Sequence, residues 1–168
     1  MGTISIRVIA LSLFLASTQL RAQPGETPQL IGVIPNVAIA NLAFANQLRT
    51  TSWQSLEGVW EPDEDTVIRG LEFLKSEQGR RQMLEHSNMP SRMTSSLNQL
   101  DTTQFQVIGI IKNGRRCLLY DGTPLNSGHA RLWLSKLVSS CVYDGGPAFW
   151  SVVVDVSPFS VVQVGCRP

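Results

Sequence analysis

At Thr103 the hydrophobic residues of this chain change their rhythm, and that switch narrows the possible folds more than any other feature. Before it, apolar side chains recur at helical spacing, as in Val37, Ala40, Phe44 and Leu48, then Val67, Leu71 and Leu74. After it they become β-branched and aromatic and alternate with period two, as strands with one buried face do. Asn113-Gly114 falls between the apolar runs 105–111 and 116–121, and Asn-Gly in that setting is the strongest short-range hairpin signal. A two-residue type I′ turn there pairs Ile110 with Cys117 and Ile108 with Leu119. Ser157-Pro158 centres a second hairpin, with Trp150, Val152, Val154 and Val156 on one buried face and Asp155 on the opposite, outward one. The segment 130–143 is ambiguous. Leu134, Leu137 and Val138 suit a helix, whereas Leu132/Leu134 and Cys141/Tyr143 alternate like a strand, here read as broken near Lys136.

In the N-terminal half, Pro35 and Asn36 open a helix carrying Val37, Ala40, Phe44 and Leu48, with Asn36 as its N-cap. A second helix starts at Pro62, where Asp63, Glu64 and Asp65 place negative charge at the N-terminus. Gly79 weakens or ends it, and Pro90 kinks or breaks the helical stretch that follows. The expectation is an α+β domain, with N-terminal helices packed on one face of a C-terminal antiparallel meander of four to five strands. In element order this resembles cystatin-like and NTF2-like layouts.

Arg7, the apolar run 8–16 and the small residue Ala22 follow the order of a secretory signal peptide, and the run is too short to span a membrane. The expected organisation is a leader over 1–22, a flexible entry segment over 23–35 and one domain over 36–168. The compartment expected is the bacterial periplasm or the exterior, without stable membrane insertion after cleavage. The 168 residues carry 14 basic and 13 acidic side chains. Removing the leader takes Arg7 and Arg21 and no acid, so the mature domain is close to neutral. Nucleic acid requires clustered cations and is not an expected partner.

Three cysteines, Cys117, Cys141 and Cys166, remain in an oxidising compartment. A meander brings them to one end of the sheet, and Cys117–Cys141 is the expected bridge because neighbouring strands have suitable Cα separations. Their spacing is unlike that of a zinc site, and no other metal or cofactor motif is present. Of the two histidines, His129 lies in a glycine-bearing loop and His86 on a solvated helix. A Ser127–His129–Asp144 arrangement lacks a nucleophile elbow. Asp121, Asp144 and Asp155 fall in or beside strands, where a carboxylate on a concave face could serve as a base. Met83, Met89 and Met93 either fill an irregular core or form an adaptable binding surface.

The segment 73–80, Phe-Leu-Lys-Ser-Glu-Gln-Gly-Arg, resembles the F-x-x-S-x-x-G-[KR] helix signature of a family of bacterial exported proteins of unknown function. The resemblance is short and implies a periplasmic setting without any activity. With no catalytic constellation evident, the expected function is binding of a protein or small ligand, as an inhibitor or envelope accessory protein. Its expected contact residues are Met83, Met89, Met93, Asn126, His129, Gly145 and Gly146. The alternative is an NTF2-like ligand cavity or enzyme using Asp155 or Asp144 with His129.

Overall fold

A computed structural model describes residues 29–34, 36–51, 56–88, 90–125 and 150–165. The leader and the expectations for Met89, Asn126, His129, Cys141, Asp144, Gly145 and Gly146 lie outside the described residues. The fold is α+β, with seven strands in one mixed sheet and helices against both of its faces.

The sheet grows from the Asn113-Gly114 hairpin. Strands β4 (Thr103–Lys112) and β5 (Arg115–Pro124) pair along their whole length, with Ile110 opposite Cys117 and Ile108 opposite Leu119, as expected. Both turn residues have positive φ, 52° at Asn113 and 69° at Gly114, the type I′ geometry that matches strand twist. The Glu57 carboxylate accepts hydrogen bonds from both turn amides, at 2.6 and 2.8 Å. Beyond β5 lie β6 (Trp150–Val156) and β7 (Phe159–Gly165), antiparallel and joined at Ser157-Pro158.

The other edge of β4 is shared. Strand β2 (Val37–Ala40) runs parallel to it at Phe105–Val107, and β3 (Gly58–Trp60) runs antiparallel to it at Gly109–Ile111. Strand β1 (Leu30–Ile34) pairs with β2 outside. Here the structure corrects the expectation of one helix from Asn36 to Leu48. Asn36 turns β1 into β2 at φ 66°, and helix α1 (Leu42–Thr51) starts six residues later. Its cap is Asn41, whose side-chain oxygen accepts from the Phe44 amide at 2.9 Å. All four residues of β2 are buried, so the strand is apolar on both faces and shows no alternation. Such a run cannot be told from a helix segment by period.

Because α1 links two strands on the same edge of β4, it crosses one face of the sheet. There Phe44, Ala45 and Leu48 pack with Ile108, Ile110, Cys117, Leu119 and Val153. Helices α2 (Glu64–Lys75), α3 (Glu77–His86) and α4 (Pro90–Leu97) supply the core on the opposite face. The expectation that all helices share one face is therefore overturned.

Helix α2 starts as expected, with the Asp63 carboxylate accepting from the Thr66 amide at 2.7 Å and its hydroxyl at 2.9 Å. Its end falls at Ser76, three residues before Gly79. The Ser76 hydroxyl donates to the Phe73 carbonyl at 2.6 Å and accepts from the Gly79 amide at 3.1 Å. It thus closes α2 and caps α3 at once. A Cβ on Gly79 would lie 2.0 Å from the Phe73 carbonyl oxygen, so the corner admits no side chain there. Arg80 adds a hydrogen bond to the Lys75 carbonyl at 3.1 Å. The F-x-x-S-x-x-G-[KR] pattern is, physically, a tight corner between two helices.

Helix α3 lies along β7, the outermost strand on its side among those described. The Gln82 side-chain oxygen accepts from the Val161 backbone amide at 2.8 Å. Phe73 stacks on Phe159 with ring centroids 6.2 Å apart, and Arg69 lies over the same Phe159 ring.

Candidate functional site

The α1 face of the sheet is divided. Side chains of β4, β5 and β6 that face α1 come in cross-strand rows. Two rows, Ile108–Leu119–Val153 and Ile110–Cys117–Asp155, run beneath α1. The next two rows change character. Gln106 stands opposite Asp121, which stands opposite Ser151, and Gln104 stands opposite Thr123. Small residues flank the first of these rows, Ala38 beside Gln106 and Gly165 beside Ser151. None of the five polar residues belongs to either apolar cluster, and all five are buried.

Burying a polar group costs about 1–3 kcal/mol unless a hydrogen bond compensates, so any oxygen left without a donor in these rows marks a candidate site. Directly opposed Cβ atoms lie about 4.5–5.5 Å apart, and diagonal neighbours stay within reach of long side chains. Gln104, Gln106 and Asp121 are therefore register neighbours on one face. Three buried oxygens, Gln104 Oε1, Gln106 Oε1 and Asp121 Oδ1, lie at this end of the face. Gln106, Asp121 and Thr123 are each held by further interactions. Gln104 Oε1 has no hydrogen-bond partner among the described residues.

Asp155, expected to face outward, does lie opposite Val152 and Val154, yet it is only 2% exposed. The reason is that α1 makes this second face an interior too. Its carboxylate accepts from the Arg115 guanidinium at 3.0 Å and from the Ser157 amide at 2.9 Å. Held at both oxygens, it serves as the anchor of the β6–β7 turn, which leaves it poorly placed to act as a base.

Cys117 carries a free thiol. Its cross-strand neighbours are Ile110 and Asp155. The strand beside β5 is β6, so the position that the expected bridge reserved for Cys141 is occupied by Asp155. Burial, with the Asp155 charge adding to it, pushes the Cys117 thiol up to about 11. The thiol is therefore protonated and unreactive near neutral pH.

Met83 and Met93 are both core residues, so the irregular-core reading holds for them and the binding-surface reading does not. Their helices lie on the largely apolar face. There Tyr120 donates its hydroxyl to the Val67 carbonyl at 2.7 Å, and Trp60 donates its indole N–H to the carbonyls of Ile110 and Cys117. Among the described residues no group of acids, histidines and cysteines could hold a metal ion, and no helix is long and apolar enough to cross a membrane.

Sequence reasoning missed Gln104, Gln106, Thr123 and Ser151, and weighed Asp121 only as one of three strand acids that could serve as a base. A signal existed. The register set by Asn113-Gly114 already pairs position 106 with 121 and position 104 with 123. No protein-family model matches the chain, and no curated protein or solved structure matches it either.

Proposed function

We propose that this chain is an exported, non-catalytic binding domain whose ligand site is the polar end of the α1 face. The observation that carries the reading is the buried row Gln106–Asp121–Ser151 beside Gln104–Thr123. A sheet face needed only for packing is filled mostly with apolar residues, as the opposite face of the same three strands is apart from Thr103 at one end. The leader pattern of Arg7, the apolar run and Ala22 supports export to the periplasm or the exterior. The domain is read as a helix-backed meander, similar in element order to cystatin-like and NTF2-like layouts, with its sheet lining the site.

The ligand is a small polar molecule. Among the described residues Leu125 is the one large hydrophobic side chain that is exposed, so these surfaces offer no broad apolar patch to a protein partner. The catalytic version of this reading loses Asp155, whose oxygens are engaged by Arg115 and Ser157.

Native mass spectrometry of the protein purified without denaturation, followed by amide-shift mapping with a panel of polar metabolites, tests the reading. A retained small molecule, or shifts concentrated at Gln104, Gln106, Asp121, Thr123 and Ser151, supports it. Binding that maps elsewhere, with these residues silent to every compound, refutes it.

A further inference from the structure

Resting on that reading of the polar rows, we infer that the site takes a small ligand through a primary ammonium group. Gln104 Oε1, buried and with no hydrogen-bond partner among the described residues, is an acceptor in need of a donor. The residue is 8% exposed, so more than nine-tenths of it is buried. Gln106 and Asp121, already held by other interactions, bring additional oxygens to the same end. The three residues form a triangle, two adjacent along β4 and the third across from Gln106 on β5.

An ammonium offers three N–H donors and no acceptor, which complements a group of neighbouring residues that each carry a buried oxygen. Asp121 brings the only carboxylate of the two polar rows, and a charge-assisted hydrogen bond in a water-poor site is roughly twice as strong as a neutral one. A divalent metal is a poorer match, since hard cations take six or more oxygens with several carboxylates among them. The cations at the far end of the sheet are committed locally. Lys112 donates to Gln163, Arg115 to Asp155, and Arg116 lies over the Trp60 ring.

The test is a titration of the full chain with n-butylammonium, n-butanol and butyrate, followed by backbone amide shifts. The expected result is saturable shifts at Gln104, Gln106 and Asp121 with butylammonium alone. Asp121→Asn should weaken that binding by about tenfold or more, the scale of a lost charge-assisted hydrogen bond. Asp155→Asn, at the opposite end of the strands, should leave it unchanged. If Asp121→Asn fails to fold, Gln104→Leu replaces it and should weaken binding several-fold. Equal binding of butanol at the same residues overturns the ammonium inference and leaves the polar site standing. Silence of these residues to all three compounds overturns the inference, and silence to the wider metabolite panel as well overturns the site itself.

Discussion

The two faces of the sheet are made by alternate residues of the same strands, and they have been put to different use. Toward α2, α3 and α4, strands β4, β5 and β6 present Phe105, Val107, Leu118, Tyr120, Trp150, Val152 and Val154, a largely apolar surface. Phe105 meets Tyr120 and Trp150 edge-on, with centroids 6.0 and 5.6 Å apart. Toward α1 the same strands present two rows that are apolar apart from Asp155, and then two polar rows. One face therefore holds the fold together, and the other combines packing with the proposed binding site. A substitution on the first face should change stability and leave ligand binding alone, whereas one in the polar rows should do the reverse.

The strongest challenge to that division is Met83→Ala. Met83 is 0% exposed against the apolar face, and truncation of such a side chain costs about 2–5 kcal/mol. Urea denaturation should show a large loss of stability, with ligand contacts in the polar rows unaltered below the transition. Next comes Gly70→Ala, whose new Cβ would sit 2.2 Å from the Tyr120 hydroxyl oxygen. Overpacking of this kind costs about 1–3 kcal/mol. Pairing it with Tyr120→Phe removes the clashing atom, so the double mutant should be more stable than the two losses added together.

On the α1 face, Cys117 offers a smaller and pH-resolved effect. Its thiol titrates near 9.0 in an unfolded chain and about 11 in the fold. Above the first value the unfolded state releases a proton that the folded state keeps, so stability falls as pH rises between the two. Cys117→Ala should flatten that alkaline decline, read as denaturation midpoints from pH 8 to 11. At neutral pH iodoacetamide should label Cys117 only once denaturant opens the domain, as judged by peptide mapping. The mildest expected effect is at the start of α2. The amide of Thr66, then its hydroxyl, hold the Asp63 carboxyl below its ordinary value of 3.8. The cap's contribution is present above that value and fades as pH falls below it. Asp63→Asn keeps a cap of similar strength without a titrating group, so its acid-side stability curve should be shallower than that of the parent.

What could be read in advance follows the same division. The hairpins at Asn113-Gly114 and Ser157-Pro158 were legible because turn chemistry and alternation are local signals. The β4–β5 register holds residue for residue. The start of α2 was legible for the same reason, since Asp63 and its acidic neighbours mark a helix N-terminus. Val37–Ala40 was not, because a strand buried on both faces carries no period to distinguish it from a helix. The polar rows were hidden by the alternation that revealed the strands. Gln104 and Gln106 alternate with Phe105 and Val107 just as solvent-facing residues would, and alternation alone does not tell a second buried face from a solvated one. Asp155 was misjudged as outward on the same grounds.

The hydrogen bond from Val161 to Gln82 bears on how the protein behaves when many copies are together. An outermost strand with open amides can pair with the strand of another molecule and seed growing sheets. Here the neighbouring helix lends a side chain that occupies one such amide, and a second molecule must break that bond before it can align. Gln82 thus helps to keep the sheets of separate copies from joining edge to edge.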